Sequence, residues 1–320
     1  MPPLAGALLA VVLWGLSFVA TRRVLQEISP VTLLVTRFGI GLLVLGAHLA
    51  ARRLSLPGRI DVWARLAAMG AVGIFLHQML QAWGLTLTTA VNTGWLIGLI
   101  PLWSAVLAAV FLKERFGWRQ VAGLALGFAG TLLVISRGRP ALSIVALPST
   151  RGDLLVLAST VTWAVYTILG RRTLQAIGSA RATAGAMLSG WLMLVPIFLA
   201  AGGWRDYGRL SATGWGAVLF LGIGCSGLGY LFWYAALEKI ETARVASLLY
   251  LEPLVTCAAA WLVLDEPLHP ATLAGGVTVL CGVALVQQAQ KAGKAPAAGG
   301  GNPRGPAAGR RSESSEVNAS

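Results

Sequence analysis

The sequence predicts an all-α integral membrane protein with ten transmembrane helices in two inverted five-helix repeats. Three observations predict this fold: the composition, a series of ten apolar runs, and an internal repeat. Of the 320 residues, 56% are hydrophobic and 12% are charged, and the mean hydropathy is +0.73. Because a soluble domain has about 25% charged residues, this chain has more apolar surface than one water-facing core can bury. A bilayer must cover the remainder.

The ten apolar runs are separated by short loops that contain Gly, Pro or Arg. A helix needs about 20 apolar residues to cross the hydrocarbon core. The predicted helices begin near Leu4, Val31, Leu66, Val91, Gly117, Asp153, Ala182, Thr213, Arg244 and Ala271. The first run has no basic residue before it and no small-residue cleavage site, so we expect a retained helix rather than a signal peptide.

The ten runs divide into two repeats, residues 1–140 and 141–288. At an offset of 152, ten identities occur among the 34 positions from 101 to 134. At an offset of 149, five more residues recur: Trp14, Arg22, Arg23, Leu25 and Gln26 match Trp163, Arg171, Arg172, Leu174 and Gln175. Hydrophobicity alone does not explain a shared frame of Pro, Glu and Gly. Because five is odd, the repeats must enter the membrane with opposite orientation, as in many secondary transporters.

The basic residues predict that both termini are cytoplasmic. Of the 25 Lys and Arg residues, 17 fall on the side of the termini, seven fall on the other side, and Arg37 lies within a span. Cytoplasmic loops carry the excess of Lys and Arg, so we expect a multi-pass protein of a bacterial cytoplasmic membrane. Residues 289–320, rich in Gly, Ala, Pro and Ser, are predicted to form a disordered cytoplasmic tail. The net charge of +13 is dispersed along the chain, which argues against nucleic-acid binding.

Several motifs, in their order along the chain, resemble the EamA branch of the drug/metabolite transporter (DMT) superfamily. The first repeat contains WGLSFVATR from Trp14, Arg37 followed by Phe38, AWGL from Ala82, and IPLWSAVLAAVFLKER ending at Arg115. The second contains TWAVYTILGRR, YAALEKIETA and LEPLVTCAAAWLVLDEP. The resemblance covers residues 4–288 and implies a ten-helix transporter of small metabolites, often an exporter. The polar residues of the third span and Asp265 depart from the family pattern, and the family is too broad to imply a substrate.

Glu252 is the first candidate site residue. It is about nine residues into its span, which at 1.5 Å per residue places it roughly 13 Å deep, near the midplane. Pro253 removes a backbone donor beside it and breaks the helix. The corresponding Pro101 of the first repeat follows Ile100, so the acid occurs in one copy alone. The carboxylate is expected to bind a proton or cation or a substrate amine; the alternative is a protonated side chain bonded to a neighbouring helix.

The other candidates are polar and aromatic residues within the spans. Arg37 is expected either to snorkel to the interface or to pair with Glu252. His77 and Gln81 share one helix face with Gln78 beside them, and this face is expected to line a cavity or to bond to a neighbouring helix. Aromatic side chains predicted either to wall a substrate site, with cation–π contact to an amine, or to pack are Trp14, Trp163, Tyr166, Tyr230, Tyr234 and Tyr250.

The sequence predicts no metal site, no cofactor and no catalytic set. The three cysteines lack metal-ligand spacing. The GxGxxG pattern from Gly222 to Gly227 lies inside an apolar span, so these glycines are expected to pack helices. Glu114 and Glu266, which correspond in the two repeats, are expected to cap helices or order loops. The absence of a P-loop motif argues against an ATP-driven pump.

The function predicted from these observations is secondary transport by alternating access. The expected substrate is a small metabolite, an amino acid or a related amphipathic compound, and the expected direction is export. Proton coupling through Glu252, exchange and facilitated diffusion all remain open as driving mechanisms. The alternative is a non-transporting membrane sensor or an intramembrane enzyme. The expected partners are the substrate and the lipid bilayer. The protein is expected to be a monomer or a homodimer, and a homodimer adds a second copy of the chain as a partner.

Overall fold

The residues that the structure describes fold into a bundle of ten helices. The computed structural model describes residues 2–112, 117–139, 148–237, 239, 245 and 247–294. Within these ranges all regular structure is helical, nine helices are long and apolar enough to cross a bilayer, and a tenth, Leu248–Leu264, is shorter. The prediction of an all-α integral membrane protein is confirmed. The predicted boundary at 140/141, Glu114 and the expected ninth start at Arg244 lie outside the described residues. Residues 289–294, predicted to begin the disordered tail, instead continue the helix Pro270–Lys294, and residues 295–320 lie outside the described residues.

We number the helices α1 to α10. In the first repeat they are α1 (Pro3–Val24), α2 (Pro30–Ala51), α3 (Ile60–Leu87), α4 (Ala90–Ile97 and Ile100–Leu112) and α5 (Trp118–Ser136). In the second repeat they are α6 (Pro148–Ile177), α7 (Ser179–Ala200), α8 (Ala212–Ala236), α9 (Ser247–Leu251 and Glu252–Leu264) and α10 (Pro270–Lys294). A short 3₁₀ segment, Gly203–Arg209, lies between α7 and α8.

Polar caps and prolines explain where several helices begin. Ser29, Thr89 and Ser211 each accept a hydrogen bond from a backbone N–H three residues later and so cap α2, α4 and α8. Predicted and observed starts agree within six residues for the helices whose starts are described. The largest differences are at α3 and α6, which begin earlier than expected because their first turns carry charged residues such as Asp61 and Arg151. A prediction based on hydropathy assigns such a charged turn to the preceding loop.

Both repeats contain the same two irregularities. The fourth helix is interrupted at residues 98–99 before Pro101, and α9 runs as a 3₁₀ segment up to Leu251 before it becomes α-helical at Glu252, next to Pro253. Proline at the first turn of the new segment has no N–H to leave unpaired. In addition, α3 and α8 each contain a π-helical segment, Gly70–Leu76 and Phe220–Gly229. Residues 70 and 222 are separated by the repeat offset.

Contacts between α5 and α10 show that the second repeat is inverted relative to the first. A Cβ atom added at Gly123 would lie 2.6 Å from the carbonyl oxygen of Gly282, and one added at Gly130 would lie 2.6 Å from that of Gly275. The numbering thus rises along one helix as it falls along the other. Gly275 and Gly282 are themselves the repeat counterparts of Gly123 and Gly130, so the contact maps onto itself when the repeats are exchanged.

A second pair of contacts follows the same local two-fold symmetry. Gly190 of α7 packs against Ile74 of α3, and Gly41 of α2 packs against Ser226 of α8, so both contacts join the two repeats. Lipid tails are as apolar as the helix surfaces, so the hydrophobic effect does not drive membrane helices together. They associate instead by close packing at small residues. The contacts of Gly222 and Gly227 with α2 likewise confirm that the GxGxxG pattern packs helices.

This packing makes a direct prediction for Gly282→Ala. The new methyl group would meet the backbone of Gly123 at 2.5 Å, and backbone cannot move aside as a flexible side chain can. We expect a loss of about 1–3 kcal/mol of stability, visible as a lower thermal unfolding midpoint in detergent. Gly46→Ala is the matched control, because nothing lies within 4 Å of a Cβ there and alanine favours helix. Equal midpoints for the two variants would contradict the packing.

Candidate functional site

A cavity of about 90 Å³ lies between the two repeats. Helices α1 to α4 contribute to it from the first repeat, and α6, α8 and α9 contribute from the second. The lining residues are Trp14, Ser17, Phe18, Arg37, His77, Gln78, Gln81, Ile97, Gly98, Ile100, Pro101, Trp163, Tyr230, Trp233, Leu249, Tyr250 and Glu252. Both broken helices reach the cavity at their breaks. Irregular backbone at membrane depth is tolerated where it lines such a space.

Glu252 lies at the start of the α-helical part of α9, with its side chain 7% exposed and facing the cavity. An acid in the first turn is favoured there by the helix dipole. Its carboxylate forms no ion pair and accepts no hydrogen bond from the residues that the structure describes. The expected alternative, a carboxyl group bonded to a neighbouring helix, is therefore not found there. Pro253 sets the break but does not line the cavity.

The counterpart of Glu252 in the first repeat also faces this space. Ile100 begins the second segment of α4 just as Glu252 begins the α-helical part of α9, and Ile100 and Pro101 both line the cavity. The two repeats therefore present equivalent backbone positions to one cavity but with different chemistry, an aliphatic group on one side and a carboxylate on the other.

Arg37 corrects the expectation from the sequence. Its side chain is 5% exposed and lines the cavity, so it does not snorkel to the interface. It also forms no ion pair with Glu252, since none of the ion pairs among the described residues includes either side chain. Instead its Nε donates a hydrogen bond to Ser226 Oγ at 3.2 Å. The expectation that Arg37 snorkels or pairs with Glu252 is therefore wrong.

The polar face of α3 both lines the cavity and bonds to a neighbouring helix. His77, Gln78 and Gln81 all line the cavity. The Nδ1 atom of His77 lies 2.8 Å from the carbonyl oxygen of Ser159 in α6, and its ring lies 4.9 Å from that of Trp163. The two readings left open by the sequence are thus both correct for His77.

Aromatic side chains from both repeats line the cavity. Trp14 packs against Tyr230 and Trp233, at centroid distances of 5.6 and 5.3 Å, and donates from Nε1 to the backbone oxygen of Cys225 at 3.2 Å. Its repeat counterpart Trp163 stands beside His77, as described above. Amphipathic ligands and amines suit such walls.

Tyr166 and Tyr234 are not part of the cavity lining, which corrects their prediction as site residues. Their hydroxyl groups lie 3.4 Å from each other, and both side chains are buried. A Cβ at Gly73 would lie 2.3 Å from the ring of Tyr166, which shows how closely that ring packs on α3. Their role here is helix packing. Conversely, Ser17, Phe18 and Leu249 line the cavity, although no sequence pattern marked them as site residues.

One end of the bundle holds the repeats together by hydrogen bonds. We call it the clamped end; it is formed by residues 25–29, 88–89, 201–211 and 265–269. Glu27 accepts hydrogen bonds from the backbone N–H and hydroxyl of Ser211, at 2.8 and 2.9 Å. Asp206 accepts from the Ser29 N–H and the Thr32 hydroxyl, at 3.1 and 2.7 Å.

The carboxyl groups of Glu27 and Asp206 stabilise the clamped end most when they are ionised. The Ser211 backbone hydrogen bond, with that of its hydroxyl, lowers the pKa of Glu27. Burial raises the pKa of Asp206, but the hydrogen bonds from Thr32 and Ser29 outweigh it and the pKa lies below its usual value of 3.8. Because folding lowers both pKa values, this stabilisation is present above the unfolded values and is lost as the pH falls through the folded ones.

Further contacts between the repeats complete the clamped end. Glu266 accepts hydrogen bonds from the backbone N–H groups of Ala90 and Val91, both at 3.0 Å, and so caps α4 from the other repeat. The expectation that Glu266 caps a helix is confirmed. Asp153 accepts from Thr88 Oγ1 and from Asn92 Nδ2 in the same region. At the opposite end, the hydrogen bonds of Arg59 and Trp63 stay within the first repeat.

Among the described residues, no group of three or more His, Cys, Asp or Glu is placed to hold a metal ion. Cys225 and Cys257 are buried and Cys281 is exposed, and all three are free thiols. The chemistry that the cavity offers is therefore ionic, hydrogen-bonding and aromatic contact.

Comparisons with known proteins agree with this geometry. The family model described as the EamA-like transporter family matches residues 1–136 and again residues 150–287. The chain belongs to the EamA-like transporter family. It is a multi-pass membrane transporter and not an enzyme. The double match is consistent with the internal repeat in sequence and structure.

Relatives extend over nearly the whole chain. An uncharacterised transporter of Archaeoglobus fulgidus is 32% identical over 88% of this chain and 96% of its own length. A "probable terminal-alkyne amino-acid exporter" of Streptantibioticus cattleyicolor is 29% identical over 88% and 91%, and a "probable amino-acid metabolite efflux pump" of Escherichia coli is 27% identical over 87% and 92%. A crystal structure at 22% identity covers 92% of this chain and 99% of its own, with a TM-score of 0.63, and shows the same fold.

The cap on α4 makes Glu266→Gln informative. The amide oxygen can replace one of the two carboxylate oxygens, but the amide nitrogen cannot accept from the other N–H group, and the negative charge at the helix start is lost. We expect a cost of about 1 kcal/mol, measured as a lower unfolding midpoint of the purified protein. Asp265→Asn is the matched control: it removes the neighbouring charge from an exposed side chain, and Asn tolerates the left-handed backbone of that position (φ 51°). A midpoint for Glu266→Gln no lower than the control would contradict the cap.

Proposed function

We propose that this protein is a secondary transporter that exports an amino acid or a related amphipathic metabolite by alternating access. The observation that carries the proposal is the carboxylate of Glu252, which faces a cavity between inverted repeats and has no hydrogen-bond partner among the described residues. Transporters of this architecture bind substrate and coupling ion at the repeat interface.

The clamped end and the distribution of basic residues support the proposed direction of transport. With both termini cytoplasmic, as the excess of Lys and Arg on that side indicates, the clamped end faces outward. The hydrogen bonds of Glu27, Asp206 and Glu266 then close the outer side, and the cavity takes its substrate from the cytoplasm. A cavity that loads on this side suits an exporter, and the names of two relatives, an exporter and an efflux pump, support that direction.

The substrate class follows from the walls of the cavity. Trp14, Trp163 and Tyr230 offer aromatic faces, and Glu252 offers a negative charge for an ammonium group. Glu252 is at the same time suited to exchange a proton, because an acid at this depth need not stay ionised when the site is empty. In the proposed cycle, the proton and the ammonium group compete for this carboxylate.

Substitution Glu252→Gln tests the proposal. In proteoliposomes that contain the wild type, a pH gradient should drive release of labelled amino acid. The release rate of the variant should be at least about tenfold lower, because a lost charge-assisted contact costs about 1.4 kcal/mol or more. Insertion is verified by recovery of the folded variant after reconstitution. The matched control is Asp61→Asn, which alters an exposed acid that pairs with Arg59 far from the cavity.

The outcomes separate the proposed function from its alternative. Wild-type rates in Glu252→Gln would contradict the role of this carboxylate. Ligand binding without passage of any amino acid across the bilayer by the wild type would contradict transport and favour a membrane sensor.

A further inference from the structure

Arg37 is a buried cation without an acidic partner among the residues that the structure describes. Its guanidinium lies in the cavity, and Nε donates to Ser226. The guanidinium carbon lies 5.1 Å from the centroid of the Phe38 ring, and Tyr230 lines the same cavity. No carboxylate oxygen of the described residues lies within ion-pair distance, 4.0 Å, of it.

Burying such a cation inside a membrane protein costs free energy unless water, an anion or hydrogen-bond acceptors compensate its charge. A charged side chain inside a membrane protein is paired or faces water, and those that remain mark substrate or ion pathways. The cavity, at about 90 Å³, has room for several water molecules at roughly 10–15 Å³ each. Water can therefore solvate Arg37 when the site is empty, and an anion can replace that water.

The architecture does not require an arginine at this position. Arg37 corresponds to Ala186 in the second repeat, and its partner Ser226 corresponds to Ile74. The same close helix contact forms in both copies, with the Arg37 backbone oxygen near Gly222 and the Ala186 backbone oxygen near Gly70. Since the second copy packs with two apolar residues, the Arg37–Ser226 pair is an addition to the scaffold rather than a part of it.

The hydrogen bond to Ser226 also orients the guanidinium. With Nε held, the two terminal nitrogens are left without a protein acceptor among the described residues. Two parallel N–H donors of this kind match a carboxylate in bidentate geometry. Lysine offers no such fork.

We propose that Arg37 binds the carboxylate of the substrate, so that the transported compound is a zwitterion whose ammonium group is directed toward Glu252. The inference rests on the proposed function and narrows its substrate class. A ligand with a positive and a negative group satisfies both unpaired charges of the cavity at once. A simple amine leaves Arg37 without an anion, and a simple carboxylate leaves Glu252 without a cation.

Matched ligands test this assignment. The apolar and aromatic L-amino acids are compared with the amines obtained by removing their carboxylate, and binding to the purified protein is measured by the ligand-dependent rise of the unfolding midpoint. We expect the amino acids to bind the wild type and the amines to bind at least about tenfold more weakly, because a charged hydrogen-bonded pair is lost.

Three variants assign the effect to Arg37. Arg37→Met keeps the length of the side chain and should lower amino-acid affinity roughly 10- to 100-fold, with amine affinity unchanged or raised. Arg37→Lys keeps the charge but loses the fork and should recover part of the affinity. Ser226→Ala removes only the orienting hydrogen bond and should show a smaller loss. Arg119→Met, at an exposed arginine, is the control for a lost charge.

The readout is the affinity ratio of amino acid to amine, which a purely structural role would leave unchanged. An equal fall in both affinities, or an unaltered ratio in a folded Arg37→Met, would overturn the inference and leave the transport proposal standing. Wild-type binding of amines as tight as that of amino acids would do the same. If no amino acid binds the wild type, the proposed substrate class itself fails, and this inference fails with it.

Discussion

A charge inside a membrane protein needs water, a counter-ion or a hydrogen bond, and this requirement shapes the centre of the molecule. Arg37 and Glu252 are both buried, both lack an ion pair among the described residues, and both face one cavity. The cavity gives both side chains a space that water or a ligand can fill. The helix breaks before Pro101 and at Pro253 border this space, where unpaired backbone groups can also be hydrated.

The scaffold is symmetric, whereas the lining is not. Exchange of the repeats maps the contacts between α5 and α10 onto themselves and maps the α2–α8 contact onto that of α3 and α7. The alternating access that we propose requires such equivalence, because each end of the bundle must close in turn. The counterpart of Glu252 in the first repeat is Ile100, and the counterpart of Arg37 in the second repeat is Ala186. Chemistry that occurs in one copy alone is not needed for packing, which is why we assign it to substrate and coupling.

Most of the fold could be predicted from the sequence, because apolar runs, prolines and the repeat report depth and order directly. The position of a residue along its helix does not, however, show in which direction its side chain points. Arg37 was placed correctly in its helix, but a linear pattern does not show which neighbour a side chain faces. Tyr166 and Tyr234 were expected in the site because an aromatic residue that packs looks like one that binds. The roles of Glu27 and Asp206 had no sequence signal, since their partners lie in a loop of the other repeat.

The central claim is that one site between the repeats is reached from each side of the membrane in turn. Ile100→Cys places a thiol in the cavity opposite Glu252, and a membrane-impermeant maleimide can be added to sealed right-side-out or inside-out vesicles. Labelling above that of the parent protein, which retains its three native cysteines, is the measurement. Alternating access predicts labelling from both sides, reduced by bound substrate. Labelling from one side alone, with or without substrate, would contradict it.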